Sequence, residues 1–255
     1  MRGHLALITG ATAGIGQACA EQLAARGADL IITGRREDRL RELSERLYSE
    51  YRVQVTPLAF DVSSREETEE IFGAHKDLFS RLTILINNAG LALGTDLFQN
   101  ASLNDVETMI DTNLKGLMYV TRLCLPHFIK RDDGHIVNLG SVAGRFTYPG
   151  GAVYSATKFA VRALSESLRM DLMGTKIRVT NIAPGMVESE FSEVRLRNTE
   201  KAKAVYQGMT PLQPADIAET IVWCLVRPKH VNIQEIIIYP TEQAGVGPSY
   251  LNRKK

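Results

Sequence analysis

The stretch LALITGATAGIG, residues 5–16, decides the fold: an apolar run ends at Gly10, a glycine-rich turn follows, and a helical pattern starts at Ile15. Glycines permit a tight turn and a close approach of backbone to a pyrophosphate. The N-terminus of the following helix adds unpaired N–H groups and positive dipole. The spacing is G-x-x-x-G-x-G rather than the commoner dinucleotide fingerprint. Its place, after a first strand and at the opening of a first helix, makes Gly10, Thr12, Gly14, Ile15 and Gly16 a candidate nucleotide cradle.

Outward from this stretch the same alternation repeats. Six further β-rich runs follow: DLIITG from Asp29, VQVTPLAFDV from Val53, ILINNAG from Ile84, HIVNLGS from His135, IRVTNIAPG from Ile177 and EIIIYP from Glu235. Near-continuous apolar runs are those of parallel strands buried on both faces. Between them lie helical stretches. Residues 15–26 stop at Gly27, and 37–51 carry a stripe of Leu40, Leu43 and Leu47. A helix over 65–80 is capped by Ser63 or Ser64. Ser102 with Asp105 reads as a capping box that opens a long helical region toward Arg131. Residues 153–173 end at Gly174, and a last helix over 216–226 stops at Pro228. The pattern predicts an α/β fold: a Rossmann-type, doubly wound, seven-stranded parallel sheet in three α/β/α layers, one domain over residues 1–255. Residues 186–207 break the rhythm. They are polar and partly helical and follow a strand C-terminus, where open α/β sheets bind ligands, so they read as a substrate lid.

Composition narrows the function. A net charge of +1 with interspersed signs leaves no nucleic-acid footprint. No apolar run reaches the ~20 residues that span a bilayer, and the N-terminus reads as a strand, not a signal peptide. Cys19, Cys124 and Cys224 are far apart, as expected of reduced core residues in a cytoplasmic protein. The five histidines show no metal-like pairing, so no metal is expected. The end from Tyr250, closing in NRKK, reads as solvated.

The chemistry lies in YSATK. Tyr154 and Lys158 stand four residues apart, about 1.1 helical turns, and share a face. A phenol titrates near ~10, and a fixed ammonium beside it favours tyrosinate and brings it toward working pH. Ser141, in NLGS, is placed to hydrogen-bond a reacting oxygen. The second strand ends in Gly34, Arg35 and Arg36 where an NAD site usually carries a carboxylate. A carboxylate would repel a 2′-phosphate and a guanidinium would pair with it, so the expected cofactor is NADP(H). Asp61 and Val62, ending the third strand, face the adenine in this reading. Asn88, Ala89 and Gly90, ending the fourth, face the adjacent ribose.

Taken together, these residues resemble the short-chain dehydrogenase/reductase family. Its marks stand in order: TGATAGIG from Thr9, NNAG from Asn87, Asn113 in DTNLKG, Ser141, YSATK, and the PG pair Pro184 and Gly185. NNAGLALG, ETMIDTN, HIVNLGSVAGR, KIRVTNIAPGMVESEFSEVR and YPTEQA are similar to the NADP-dependent 3-hydroxy acid dehydrogenases, a group also called serine or L-allo-threonine dehydrogenases. The resemblance implies oxidation of the 3-hydroxyl of small acids of the serine, allo-threonine and 3-hydroxyisobutyrate type, with Tyr154 as general acid/base. It implies that Lys158 holds the nicotinamide ribose, that Asn113 positions a water in a relay through Lys158, and that Pro184, Gly185, Val187 and Ser189 line the nicotinamide end. Ser189 stands where threonine is usual and keeps the hydroxyl. Ala13 stands where some members place a basic residue, which leaves the phosphate to Arg35 and Arg36. A homotetramer with helices near 102–131 and 153–173 at an interface is also implied. A small acid needs a cation: Arg195 in the lid is the first candidate and Arg145 the second. Tyr148 and Phe191 are candidate pocket walls. A 3-oxoacyl carrier-protein reductase and a general carbonyl reductase share this core. An NADPH-binding regulator would not need Asn113, Ser141, Tyr154 and Lys158 together.

Overall fold

The structure, a computed structural model, describes residues 1–247 and 251. Its strands are β1 (Leu5–Ile8), β2 (Asp29–Gly34), β3 (Val55–Ala59), β4 (Ile84–Asn87), β5 (Gly134–Leu139), β6 (Ile177–Pro184) and β7 (Glu235–Ile238). All pair in parallel, in the order β3-β2-β1-β4-β5-β6-β7. The chain thus winds one way from β1 to β3 and the other way from β4 to β7. Helices α1 (Gly14–Ala24), α2 (Glu37–Tyr51), α3 (Arg65–Ala74), α4 (Lys76–Ser80), α5 (Leu103–Ile110), α6 (Leu117–Arg131), α7 (Ala152–Asp171), α8 (Phe191–Leu196), α9 (Thr199–Ala204) and α10 (Pro214–Leu225) fill the crossovers.

Alternate strand residues enter opposite cores, because successive side chains of a strand point to opposite faces. Ala6, Ile8, Leu30 and Ile32 join Leu23, Leu40 and Leu47 of α1 and α2 and Ile217 and Ile221 of α10. Leu5, Leu7, Ile31 and Leu85 join Phe72 and Phe79 and the buried faces of α6 and α7. The expected three layers follow. All three cysteines are free and buried, Cys19 and Cys224 in the first core and Cys124 in the second.

Several boundaries differ from expectation. The helix over 65–80 breaks at His75 into α3 and α4, so that Phe79 folds back and stacks on Phe72 with centroids 3.8 Å apart. Of the two candidate caps, Ser64 accepts from the Glu67 N–H, while the Ser63 hydroxyl donates to Asp61. The run toward Arg131 is interrupted by a π-helical turn at Asp111–Gly116. Ser102 caps α5, but the Asp105 side chain pairs with Arg197 instead of returning to complete a capping box. The end from Tyr250 lies, apart from Leu251, outside the described residues. Among the described residues no helix is long and apolar enough to cross a membrane, and no group of His, Cys, Asp or Glu is arranged to hold a metal.

Candidate active site

The carboxyl ends of the strands open into one cleft of about 380 Å³. Every cofactor residue expected from the sequence lines it except Gly16. Gly10 turns the chain out of β1 in the left-handed region, at φ +66°, and Thr9 holds the next strand against it: its hydroxyl accepts from the N–H groups of Asn88 and Ala89, both at 3.0 Å. Gly16 works from behind the cleft. A Cβ there would run into the Gly10 carbonyl and lie 2.5 Å from Asn88 Nδ2. The Asn88 amide donates to the Thr9 and Gly10 carbonyls at 2.9 and 3.0 Å and braces the turn, while the residue also lines the cleft.

At the far end of β2 the cations are arranged, not merely present. Arg36 is the residue before α2, and its Nε and Nη2 donate to Thr12 Oγ1 at 3.1 and 2.7 Å. Its Nη1 donates to Glu190 at 2.8 Å, and Arg39, one turn into α2, donates to the other Glu190 oxygen at 2.7 Å. Arg35 is largely exposed, 3.6 Å from Asp61. Neither Arg39 nor Glu190 was expected from the sequence. The i, i+3 spacing of Arg36 and Arg39 was a visible signal; Glu190, 154 positions away, carried none.

Tyr154 and Lys158 lie in the first two turns of α7, both lining the cleft. The Lys158 ammonium is buried, 5.8 Å from the Tyr154 ring centroid, and donates to the Leu139 carbonyl at 2.7 Å. Burial pushes its pKa down to about 8. The lowering expected for Tyr154 is overtaken by the same force. Burial pushes the phenol up to about 12, against a hydrogen bond with Ser141 and the charge of Arg195, which pull it down. Ser141 is extended and caps a short 3₁₀ turn, its hydroxyl accepting from the Ala143 N–H at 3.1 Å. Asn113 sits in the π-helical turn and does not line the cleft. Its Oδ1 accepts from Leu91 N–H at 2.7 Å, and its Nδ2 donates to Leu91 O and Thr157 Oγ1 at 2.8 and 3.1 Å. It thereby fastens the segment after β4 to α7, with Gly90 between it and Lys158.

A second, smaller cavity of about 30 Å³ adjoins the first. Tyr154 lines both, and Arg195 lines the second. Arg195 Nε donates to Gly94 O at 3.2 Å, and the guanidinium lies 5.4 Å from the Tyr148 ring centroid. The Gly94 N–H donates in turn to Arg195 O at 2.9 Å, so the segment carrying α8 is tied to the loop after β4. Phe191 meets the Tyr154 ring edge-on with centroids 5.6 Å apart. Arg145, the second candidate cation, is engaged elsewhere. Its guanidinium is ion-paired with Glu235, which also accepts from Asn181 Nδ2 at 2.8 Å, and Arg145 lines neither cavity. Strand β7 sets Glu235 beside Asn181 of β6 and thereby claims the charge.

Comparison with known proteins gives a consistent picture. The model of the short chain dehydrogenases matches residues 4–200. Sulfoacetaldehyde reductase 2 of Chromohalobacter salexigens is 46% identical over 242 residues, 94% of this chain and 95% of its own. The NADP-dependent 3-hydroxy acid dehydrogenase YdfG of Escherichia coli K12 is 44% identical over 245 residues, 95% of this chain and 97% of its own. Among solved structures, the closed form of serine dehydrogenase complexed with NADP+ matches with a TM-score of 0.90 at 44% identity, covering 95% of this chain and 97% of that one.

Proposed function

This chain belongs to the short chain dehydrogenase family, and on that premise we propose that it is an oxidoreductase transferring a hydride between NADP(H) and the 3-hydroxyl or 3-oxo carbon of small 3-hydroxy acids of the serine, allo-threonine and 3-hydroxyisobutyrate type. One observation carries the reading: the phenol of Tyr154 stands at the junction of two cavities. One holds the glycine cradle and Arg36, and the other holds Arg195. The cradle fits a dinucleotide, since backbone replaces side chain where a pyrophosphate needs close approach. The guanidinium held by Thr12 fits a 2′-phosphate. The nicotinamide, when bound, supplies or takes the hydride.

The chain's own residues do the rest. Tyr154 takes the alcohol proton in oxidation and returns it in reduction. Ser141 hydrogen-bonds the reacting oxygen as charge develops on it. Lys158, a cation at 5.8 Å from the ring, favours the tyrosinate against the burial that opposes it. Asn113 positions this group by pinning the loop after β4. Arg195 holds the carboxylate, and residues 186–207 act as the lid that carries it. The exposed apolar side chains of α5–α7, Leu103, Ile129 and Met170 among them, support a homotetramer, and buried unbonded thiols suit a cytoplasmic setting.

A second reading has a specific basis in the sulfoacetaldehyde reductase relative: a guanidinium at Arg195 binds a sulfonate as readily as a carboxylate. Initial rates of NADPH formation or loss test both. The panel is serine, allo-threonine, 3-hydroxyisobutyrate, isethionate, sulfoacetaldehyde and plain alcohols, each with NADP(H) and NAD(H). Turnover on the 3-hydroxy acids supports the first reading, and turnover confined to the two sulfonates supports the second. Turnover confined to uncharged substrates overturns both and leaves a general carbonyl reductase.

A further inference from the structure

Glu190 precedes α8, on the segment that also carries Arg195, yet it lines the large cleft, where its carboxylate meets Arg36 and Arg39. Both its oxygens are used, one by Arg36 at 2.8 Å and one by Arg39 at 2.7 Å. Burial pushes the carboxyl up, but the two guanidinium groups outweigh it and hold it below the usual carboxylate range, so it is anionic at neutral pH. Two nitrogens of Arg36 donate to Thr12 Oγ1, which orients the guanidinium toward Glu190. Its remaining edge faces one anion. We propose that Glu190 and the 2′-phosphate of the cofactor compete for Arg36 and Arg39, so that Glu190 sets how strongly this chain prefers NADP(H) to NAD(H).

The proposal rests on the NADP(H) reading above. A guanidinium edge pairs with one carboxylate or one phosphate oxyanion set at a time. Two anions at the same edge repel, so the phosphate must displace the carboxylate or bind beside it at a cost. A cofactor with a 2′-hydroxyl brings no charge and leaves the pair in place. The device therefore weakens NADP(H) alone. It also links two ends of the site: the 2′-phosphate loosens Glu190, while the same segment remains held on Gly94 through Arg195 five residues on. Glu190 is half-exposed, and its loss removes no core contact.

The test is calorimetric titration of wild type, Glu190→Gln and Glu190→Ala with NADP+, NAD+ and 2′,5′-ADP, the last a probe with the phosphate but no nicotinamide. Exposed ion pairs are modest, so both variants should bind NADP+ and 2′,5′-ADP about 3- to 10-fold more tightly, with NAD+ within about 2-fold. Unchanged or weaker NADP+ binding in both variants overturns the proposal and makes Glu190 a scaffold for the arginines. A wild type that binds NADP+ and NAD+ equally overturns the cofactor reading itself, and the proposal with it. The two failures are distinguished by the wild-type preference.

Discussion

At the residue scale, burial sets the chemistry of the site. Tyr154 held near 12 and Lys158 near 8 are both pushed toward their neutral forms. Replacing Tyr154 by Phe removes the transferable proton and little volume. Turnover should fall about 10²- to 10⁴-fold, with NADP+ affinity within about 3-fold of wild type, measured by initial rates and calorimetry. His135 offers a second check. The Thr180 hydroxyl donates to Ile233 O at 2.7 Å, so it accepts from His135 Nε2 at 2.8 Å. Nδ1 is buried without a partner, and burial lowers the pKa to about 3. A folded pKa below the unfolded value means that the unfolded chain binds the extra proton first. Stability contributed by neutral His135 is complete above about 6.5 and is lost as pH falls toward 3. Urea unfolding between pH 7 and 4 should therefore lose stability more steeply in wild type than in His135→Gln. Tyr154, Lys158 and Arg36 were legible because their types and spacings carry the chemistry. Arg145 and Glu190 were not. What decides each is a partner remote in sequence, Glu235 for the first and Arg36 with Arg39 for the second.

At the element scale, helices and strands were legible wherever a single period ran unbroken. The leucine stripe of α2 and the apolar runs of the strands are of this kind. Interruptions were not. The break at His75 serves the stacking of Phe72 on Phe79, and the π-helical turn turns Asn113 toward Leu91 and Thr157. Both are demands of packing between elements, which periodicity does not contain. The junction of β1 with α1 is the least forgiving. Gly16→Ala places a methyl against the Gly10 carbonyl and Asn88, both of which are backbone or braced. Overpacking of this kind costs about 1–3 kcal/mol, so a lower denaturation midpoint and weaker NADP+ binding should appear together. Retained affinity in Gly16→Ala would detach the glycine turn from the cofactor.

At the scale of the whole molecule, the doubly wound architecture was legible from alternation alone, while the strand order became known only from the pairing. The resemblance pointed to helices near 102–131 and 153–173 as an interface, but which side chains they expose was not legible. Leu103 on α5, Met118 and Ile129 on α6 and Phe159 and Met170 on α7 are exposed, with Leu103 at 73%. Large apolar side chains gathered on neighbouring helices mark an association surface, in accord with the proposed tetramer. Leu103→Asp combined with Phe159→Asp should reduce the mass seen by light scattering from four chains to a smaller species, without change in circular dichroism. An unaltered mass would exclude this face. The three cysteines have a consequence of another kind. Burial pushes Cys19 to about 12 and Cys224 to about 11, and raises Cys124 further, so alkylation of the native state should be slow at all three. Cys19 and Cys224 lie on one side of the sheet and Cys124 on the other. A short pulse of thiol reagent during unfolding, read by mass, therefore works as a pair of native clocks. Molecules carrying zero or three labels mean that both sides open together, and molecules carrying one or two mean that one side opens first.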